Sequence, residues 1–327
     1  MNRRILLTGG AGFIGRRVAQ IMTSEKVNYT AIVRPNSDEK RLQHLTGAAE
    51  LIQLDLSDIE GLKNYLANQK FDVIIHIGAL RGGRKFSEKA YYDTNVVATE
   101  QLAINALQND SHLVFCSSVG VYGAIPNELP ANVMTSFNED NYYHYTKIHA
   151  EKIIAKFMLN GLKTDILRPA VTYGVEDYGF PYTLTKLVHR KLMLLPKETV
   201  WINLANIEMV AEAFWRVANR EYTGGSVYNL ADKEPVKLNE LVDFISERVH
   251  GKKYPSNRYI NRNIFAMGEK LAEKLHQENL HNRIRLISRS WFYDTSDLYR
   301  ELSLKGGETI PDFGVVVDWY KRLKGVK

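Results

Sequence analysis

The sequence predicts an α/β fold built on a doubly wound parallel sheet, and three observations carry that reading. Short apolar runs alternate with helical patterns from residue 5 to residue 116, a glycine triplet follows the first run, and the rhythm changes after Arg168-Pro169. Strands alternating with amphipathic helices imply right-handed crossovers and a sheet covered on both faces. A smaller mixed α/β region is expected to follow. The boundaries read 1–169 and 170–327, with the second region interleaved with the first because no Ser/Gly/Pro-rich spacer separates them.

Ile5 to Leu7 reads as the first buried strand. Gly9, Gly12 and Gly15 then recur at three-residue intervals. There the chain must turn tightly, admit a pyrophosphate against bare backbone, and let a helix pack close to the sheet. Ile14, Val18, Ile21 and Met22 have the spacing of that helix, whose first free N–H groups would receive phosphate charge. Together these features predict a Rossmann-type, dinucleotide-binding sheet.

Residues 29–34 form a second strand, stopped by Pro35. Its end usually presents an acid to the ribose hydroxyls of NAD, and here stands Arg34. A guanidinium pairs with a 2′-phosphate and stacks on adenine, so the cofactor expectation is NAD(P), leaning toward NADP. Residues 49–53 supply the third strand, followed by Asp55-Leu56 and a helix over 57–68. Asp55 either accepts from the adenine amine or tethers its own turn. Residues 72–77 are the fourth strand, with His76 read as a hydrogen-bonded core or edge histidine and Gly78-Ala79 as small residues beside the cofactor. Leu80 to Lys85 is a glycine-rich loop whose arginines, Arg81 first, either meet substrate phosphate or simply lie on the surface. A helix over 88–107 and a fifth strand over 113–116 complete the alternation.

Ser117 and Ser118 stand just beyond that fifth strand. The next helix opens near Glu139 or Asp140 and carries Tyr142, Tyr143, Tyr145 and Lys147. Only Tyr143 lies four residues before Lys147, so only that pair shares a helical face. Residues 163–167 read as strand six, capped by Arg168-Pro169. Beyond it the pattern predicts a loop over 171–180, helices over 182–195, 207–217, 238–249, 265–275, 296–303 and 313–323, and short strands over 200–204 and 227–230.

Composition narrows the classes. With 327 residues, 45% hydrophobic and 24% charged, the chain is an ordinary globular one. A formal net charge of +6 without a basic block argues against nucleic acid; it suits an anionic substrate or reflects solvated surface. The single Cys116 excludes an intrachain disulfide and reads as a core thiol. No apolar stretch approaches about 20 residues and no secretory h-region opens the chain, so a cytoplasmic protein without membrane partner or metal is expected.

A tyrosine with pKa about 10 is a poor base at neutral pH. Bringing it toward 7 requires about 4 kcal/mol, from an adjacent lysine and the oxidised nicotinamide. With Ser118 fixing the substrate oxygen, Ser118, Tyr143 and Lys147 can move a proton at an alcohol or carbonyl while hydride passes between carbon and cofactor.

These motifs resemble the extended short-chain dehydrogenase/reductase family, the NAD(P)-dependent epimerase/dehydratase group. The matching residues are Thr8-Gly9-Gly10-Ala11-Gly12-Phe13-Ile14-Gly15, Asp55-Leu56, His76-Ile77-Gly78-Ala79, Asn95-Val96, Ser117-Ser118 with Val121-Tyr122-Gly123, Tyr143-His144-Tyr145-Thr146-Lys147 and Leu167-Arg168-Pro169. The resemblance implies Ser118 as active-site serine, Tyr143 as acid/base and Lys147 as its partner, which also holds the nicotinamide ribose. It implies cofactor contacts from Gly9 through Gly15, including Phe13 and Ile14, from Asp55 and Leu56 at adenine, and from Pro169 beside the nicotinamide, with a structural role for Asn95. Ser118-Val119-Gly120 replaces the Thr-Asp-Glu of related dehydratases, which disfavours elimination chemistry. Arg34 resembles the NADP-using members.

The expected function is thus epimerisation or ketoreduction at a secondary alcohol or ketone of a nucleotide-activated sugar. Carbonyl reduction of a small steroid- or flavonoid-like molecule is the alternative, and a non-catalytic dinucleotide sensor a remote one. Tyr173, Tyr178, Tyr182 and Lys186, with Arg81 and Ser118, are candidate substrate contacts; Arg168 and Arg190 are further cations that could embrace a diphosphate. A homodimer through the helices over 88–107 and 140–160 is expected from the resemblance.

Overall fold

A computed structural model describes residues 3–45, 49–82 and 86–326. β1 (Ile5–Thr8) leads into α1 (Phe13–Ser24), followed by β2 (Tyr29–Val33), a short α2 (Glu39–Leu42), β3 (Ala49–Gln53), α3 (Ile59–Leu66) and β4 (Val73–His76). α4 (Glu88–Tyr92), a π-turn over Asp93–Val97 and α5 (Ala98–Gln108) form one rod. β5 (His112–Cys116), a 3-10 turn (Val119–Tyr122), α6 (Tyr142–Met158) and β6 (Lys163–Pro169) complete the first half.

The second half contains β7 (Val171–Tyr173), α7 (Phe180–His189), β8 (Leu195–Pro196), β9 (Trp201–Ile202), β10 (Leu204–Asn206), α8 (Ile207–Asn219) and β11 (Val227–Leu230). β12 (Val236–Lys237), α9 (Leu238–His250), β13 (Tyr259–Ile260), α10 (Arg262–Lys274), α11 (Glu278–Ser288), α12 (Ser296–Leu302), α13 (Thr309–Asp312) and α14 (Gly314–Lys324) follow.

Seven parallel strands form the central sheet in the order β3-β2-β1-β4-β5-β6-β11. Alternation along β1 divides the core. Ile5 and Leu7 face Val18 and Met22 of α1 together with Phe214 of α8, whereas Leu6 joins Leu62, Leu102 and Ile154 on the other face. The seventh strand and α8 both come from the second half. Strand order reverses between β1 and β4, and the crevice beyond their carboxyl ends is where open parallel sheets bind ligands.

The sequence expectations are corrected at four points. The segment 171–180 opens with β7, because Val171–Tyr173 pairs with β10, some thirty residues later in the chain. The helix over 182–195 stops at His189: Lys191 adopts φ 55° and Leu192 N–H bonds the Leu187 carbonyl, closing the last turn. Arg168 and Pro169 lie inside β6, and α11 arises where no helix is predicted.

Candidate active site

The glycine turn joins β1 to α1. Gly9 has φ 76°, and a Cβ there would stand 2.6 Å from the Gly78 nitrogen, so the tips of β1 and β4 meet only through bare backbone. A Cβ on Gly15 would lie 2.2 Å from the Gly9 carbonyl oxygen. No side chain caps α1 at Gly12. A close cradle opening on an uncapped helix start fits a dinucleotide pyrophosphate. Leu56 packs against Gly78, and Asp55 Oδ1 accepts from both the amide and the hydroxyl of Ser57 at 2.9 and 2.8 Å. The turn-tethering role is therefore realised, and among the described residues Oδ2 has no hydrogen bond. Arg34 is exposed just past β2.

Beneath the turn runs a buried relay. Thr8 Oγ1 accepts from Gly78 N–H at 3.0 Å and donates to His76 Nδ1 at 2.7 Å. His76 Nε2–H donates to Thr99 Oγ1 at 2.9 Å, and Thr99 donates to the Asn95 carbonyl at 2.8 Å. Both ring nitrogens are thus committed to a neutral imidazole. Burial, and then the Lys147 cation, lower the His76 pKa to about 3. His76 is a core histidine.

Asn95 sits in the π-turn. Its Oδ1 accepts from Leu80 N–H at 2.8 Å, and its Nδ2 donates to the Leu80 carbonyl at 2.9 Å and to Thr146 Oγ1 at 3.0 Å. It ties the loop after β4 to α6. The wider turn is a helical defect of a kind concentrated at functional sites.

β5 and α6 bring the predicted triad together. Ser118 caps the 3-10 turn, accepting from Gly120 N–H at 3.0 Å. Lys147 is buried; its Nζ donates to the Cys116 carbonyl at 2.8 Å and lies 5.0 Å from the centre of the Phe115 ring. Burial lowers the Lys147 pKa. Tyr143 departs from expectation: burial pushes its phenol up from the ordinary value, Cys116 adds to this, and a hydrogen bond with Ser118 and the Arg81 charge pull the other way. Burial also pushes the Cys116 thiol up to about 11, leaving it inert.

The candidate substrate contacts divide. Arg81 is half exposed and pairs with Asp177 at 3.0 Å, while Glu176 pairs with Arg16 of α1, so two consecutive acids strap the loop before α7 to the cofactor half. Gly83, Arg84 and Lys85 of the predicted phosphate-meeting loop lie outside the described residues. Tyr173 is corrected to a core residue: it is fully buried, and its hydroxyl donates to Asp232 at 2.8 Å. Tyr178 and Tyr182 pack around Trp319, and Lys186 follows one turn later on α7. Among the described residues no hydrogen bond, ion pair or ring contact joins these three to Ser118 or Tyr143. Arg168 is likewise no diphosphate ligand. It is buried, with Nε on Glu151 at 2.9 Å and NH1 on the Tyr122 hydroxyl at 2.6 Å, and Glu151 also accepts from Ser117.

One group escaped the sequence reading. His144 Nδ1 meets Asp140 Oδ1 at 2.5 Å, Arg285 of α11 donates to Asp140 Oδ2 at 3.1 Å, and the His144 ring edge lies against Gly120. Its sequence signal is Asp140 four residues before His144; nothing local points to Arg285.

Residues 5–231 match the model of the NAD dependent epimerase/dehydratase family. An Escherichia coli O157:H7 N-acetyl-alpha-D-glucosaminyl-diphospho-ditrans,octacis-undecaprenol 4-epimerase is 28% identical over 263 residues, covering 78% of this chain and 75% of its own. UDP-glucose 4-epimerase 1 of Oryza sativa subsp. japonica is 31% identical over 295 residues, covering 77% and 82%. Among solved structures, a Bordetella bronchiseptica enzyme in complex with NAD+ superposes with TM-score 0.75 at 16% identity, covering 99% of this chain and 100% of that one.

Proposed function

The chain belongs to the NAD dependent epimerase/dehydratase family, of the extended short-chain dehydrogenase/reductase type, and we propose that this enzyme epimerises a secondary alcohol carbon of a nucleotide-activated sugar. The observation that carries the reading is the convergence of Ser118, Tyr143 and Lys147 at the carboxyl end of β5, beside the Gly9–Gly15 cradle. The substrate lies between the half formed by residues 1–169 and the half formed by 170–327.

Ser118 holds the reacting hydroxyl against Tyr143, whose phenol oxygen takes its proton and later gives it back. Lys147, fixed by the Cys116 carbonyl, orients the ribose next to that phenol and keeps a cation near it. When bound, the oxidised nicotinamide supplies the hydride acceptor and a positive charge that favours the Tyr143 phenolate. Gly120 bears no carboxylate, so the site has no acid there to drive elimination. Gly9, Gly12, Phe13, Ile14 and Gly15 would hold the pyrophosphate, Asp55 and Leu56 the adenine side, and Gly78, Ala79 and Pro169 the nicotinamide side. Arg81 and Ser118 are the substrate contacts we retain, with Tyr178, Tyr182 and Lys186 as outer ones.

Exposed Arg34 favours a second reading, in which a 2′-phosphate is bound and NADPH-dependent ketoreduction leaves hydride on the product. A homodimer through the helices over 88–107 and 140–160 belongs to the same proposal.

The experiment is Tyr143→Phe assayed with UDP-hexoses and NAD or NADP. Turnover should fall by about 10² or more while dinucleotide affinity is kept. Undiminished turnover would overturn the assignment. Net NADPH consumption by the unaltered enzyme would replace epimerisation with reduction.

A further inference from the structure

Residues 264–280 hold five large apolar side chains that the fold leaves exposed: Ile264 (53%), Met267 (71%), Leu271 (58%), Leu275 (57%) and Leu280 (50%). The spacing of the first four places them on one stripe running along α10 and just past its end, while Phe265 and Ala272 on the adjacent face are buried. Single exposed leucines are ordinary on any surface, whereas a contiguous stripe marks a contact.

The net positive charge of the chain falls in the same stretch of sequence. Residues 251–290 carry nine Lys and Arg against three Glu, which equals the whole formal net charge of +6. Arg262, Lys270 and Lys274 are exposed, and among the described residues none has a carboxylate partner. Lys270 and Lys274 border the apolar stripe. Glu269 faces the other way, pairing with Arg289 at 2.7 Å.

An apolar stripe edged by unpaired cations matches the boundary of an anionic bilayer: the apolar side chains enter the acyl margin and the lysines reach headgroup phosphates. A second copy of the hairpin is a poor occupant, because two such faces would bring like charge together within a Debye length. We infer that the α10–α11 hairpin docks this protein reversibly on an anionic lipid surface. The expectation of no membrane partner came from the lack of a spanning segment, and among the described residues no helix is long and apolar enough to cross a membrane. A peripheral hairpin needs no such segment. Its inner edge reaches the active site, through Arg285 to Asp140 and His144 next to Tyr143. The inference concerns where the enzyme sits and does not rest on the epimerase reading.

The test is co-sedimentation of the full chain with vesicles of phosphatidylcholine alone or with about 30% phosphatidylglycerol, at low and high salt. Binding should require the anionic lipid and weaken by about ten-fold or more at high salt. Met267→Gln/Leu271→Gln and, separately, Lys270→Glu/Lys274→Glu should each weaken it about ten-fold or more, with thermal unfolding and dinucleotide affinity unchanged. Met267→Gln alone, at the most exposed position, serves if either pair misfolds. No binding to anionic vesicles at low salt, or equal binding by folded variants, would overturn the inference. So would a dimer in sedimentation velocity that the Met267/Leu271 variant dissociates, since a second copy would then cover the stripe.

Discussion

Lowering the pH from 7 to 5 is expected to cost this fold about 2 kcal/mol through one side chain, His76. The imidazole is 1% exposed and accepts from Thr8 while donating to Thr99, an arrangement only the neutral ring satisfies. Its pKa in the fold is about 3, against an ordinary 6.5. Because the folded value is depressed, the unfolded chain takes up the proton first. The stabilisation is complete above the ordinary pKa and is lost progressively as the pH falls toward the folded one. The whole depression is worth about 5 kcal/mol, of which about 2 falls between pH 7 and pH 5. Urea unfolding at both pH values, on the unaltered protein and on His76→Gln, isolates the effect. The variant cannot titrate there, so its loss between the two conditions should be smaller by about 2 kcal/mol, whatever its absolute stability. The same loss in both proteins would refute the reasoning.

Gly15→Ala places a methyl 2.2 Å from the Gly9 carbonyl oxygen, so α1 must move outward; dinucleotide affinity measured by fluorescence titration should fall by about 10² or more. Arg81→Gln removes a charge that lowers the Tyr143 pKa, so the acidic limb of the kcat/KM profile for alcohol oxidation, which needs the phenolate, should move to higher pH; an unmoved limb counts against Arg81. Arg168→Met leaves the Glu151 carboxylate buried without its partner and should cost about 3–5 kcal/mol in denaturant unfolding.

Much of the sheet was legible because its signals are local. Ile5 to Leu7 followed by three spaced glycines determines strand, turn and helix within a dozen residues, and residues 49–53 and 227–230 have the predicted bounds. Tyr143 and Lys147 were legible as a pair because four residues span one helical turn. What remained hidden depends on distant partners. β7 exists through β10, Tyr173 is drawn into the core by Asp232, and Arg168 is claimed by Glu151 and Tyr122. Asp140 and His144 stand one helical turn apart, but the link from Asp140 to Arg285 spans more than a hundred residues, and no spacing rule reports it.

The π-turn at Asp93–Val97 holds one residue more than an α-helical turn would need. A surplus residue amounts to about 100° of rotation, so α4 and α5 share an axis but are indexed differently around it. On the near side of the step Tyr91 donates to the Arg81 carbonyl at 3.0 Å; on the far side Leu102, Ala103 and Ala106 are set into the core. The rod therefore acts as a mechanical coupling with a built-in offset. Deleting Val96 or Val97 would do more than shorten it: everything upstream would be unscrewed relative to the sheet, and Asn95 would be aimed away from Leu80 and Thr146.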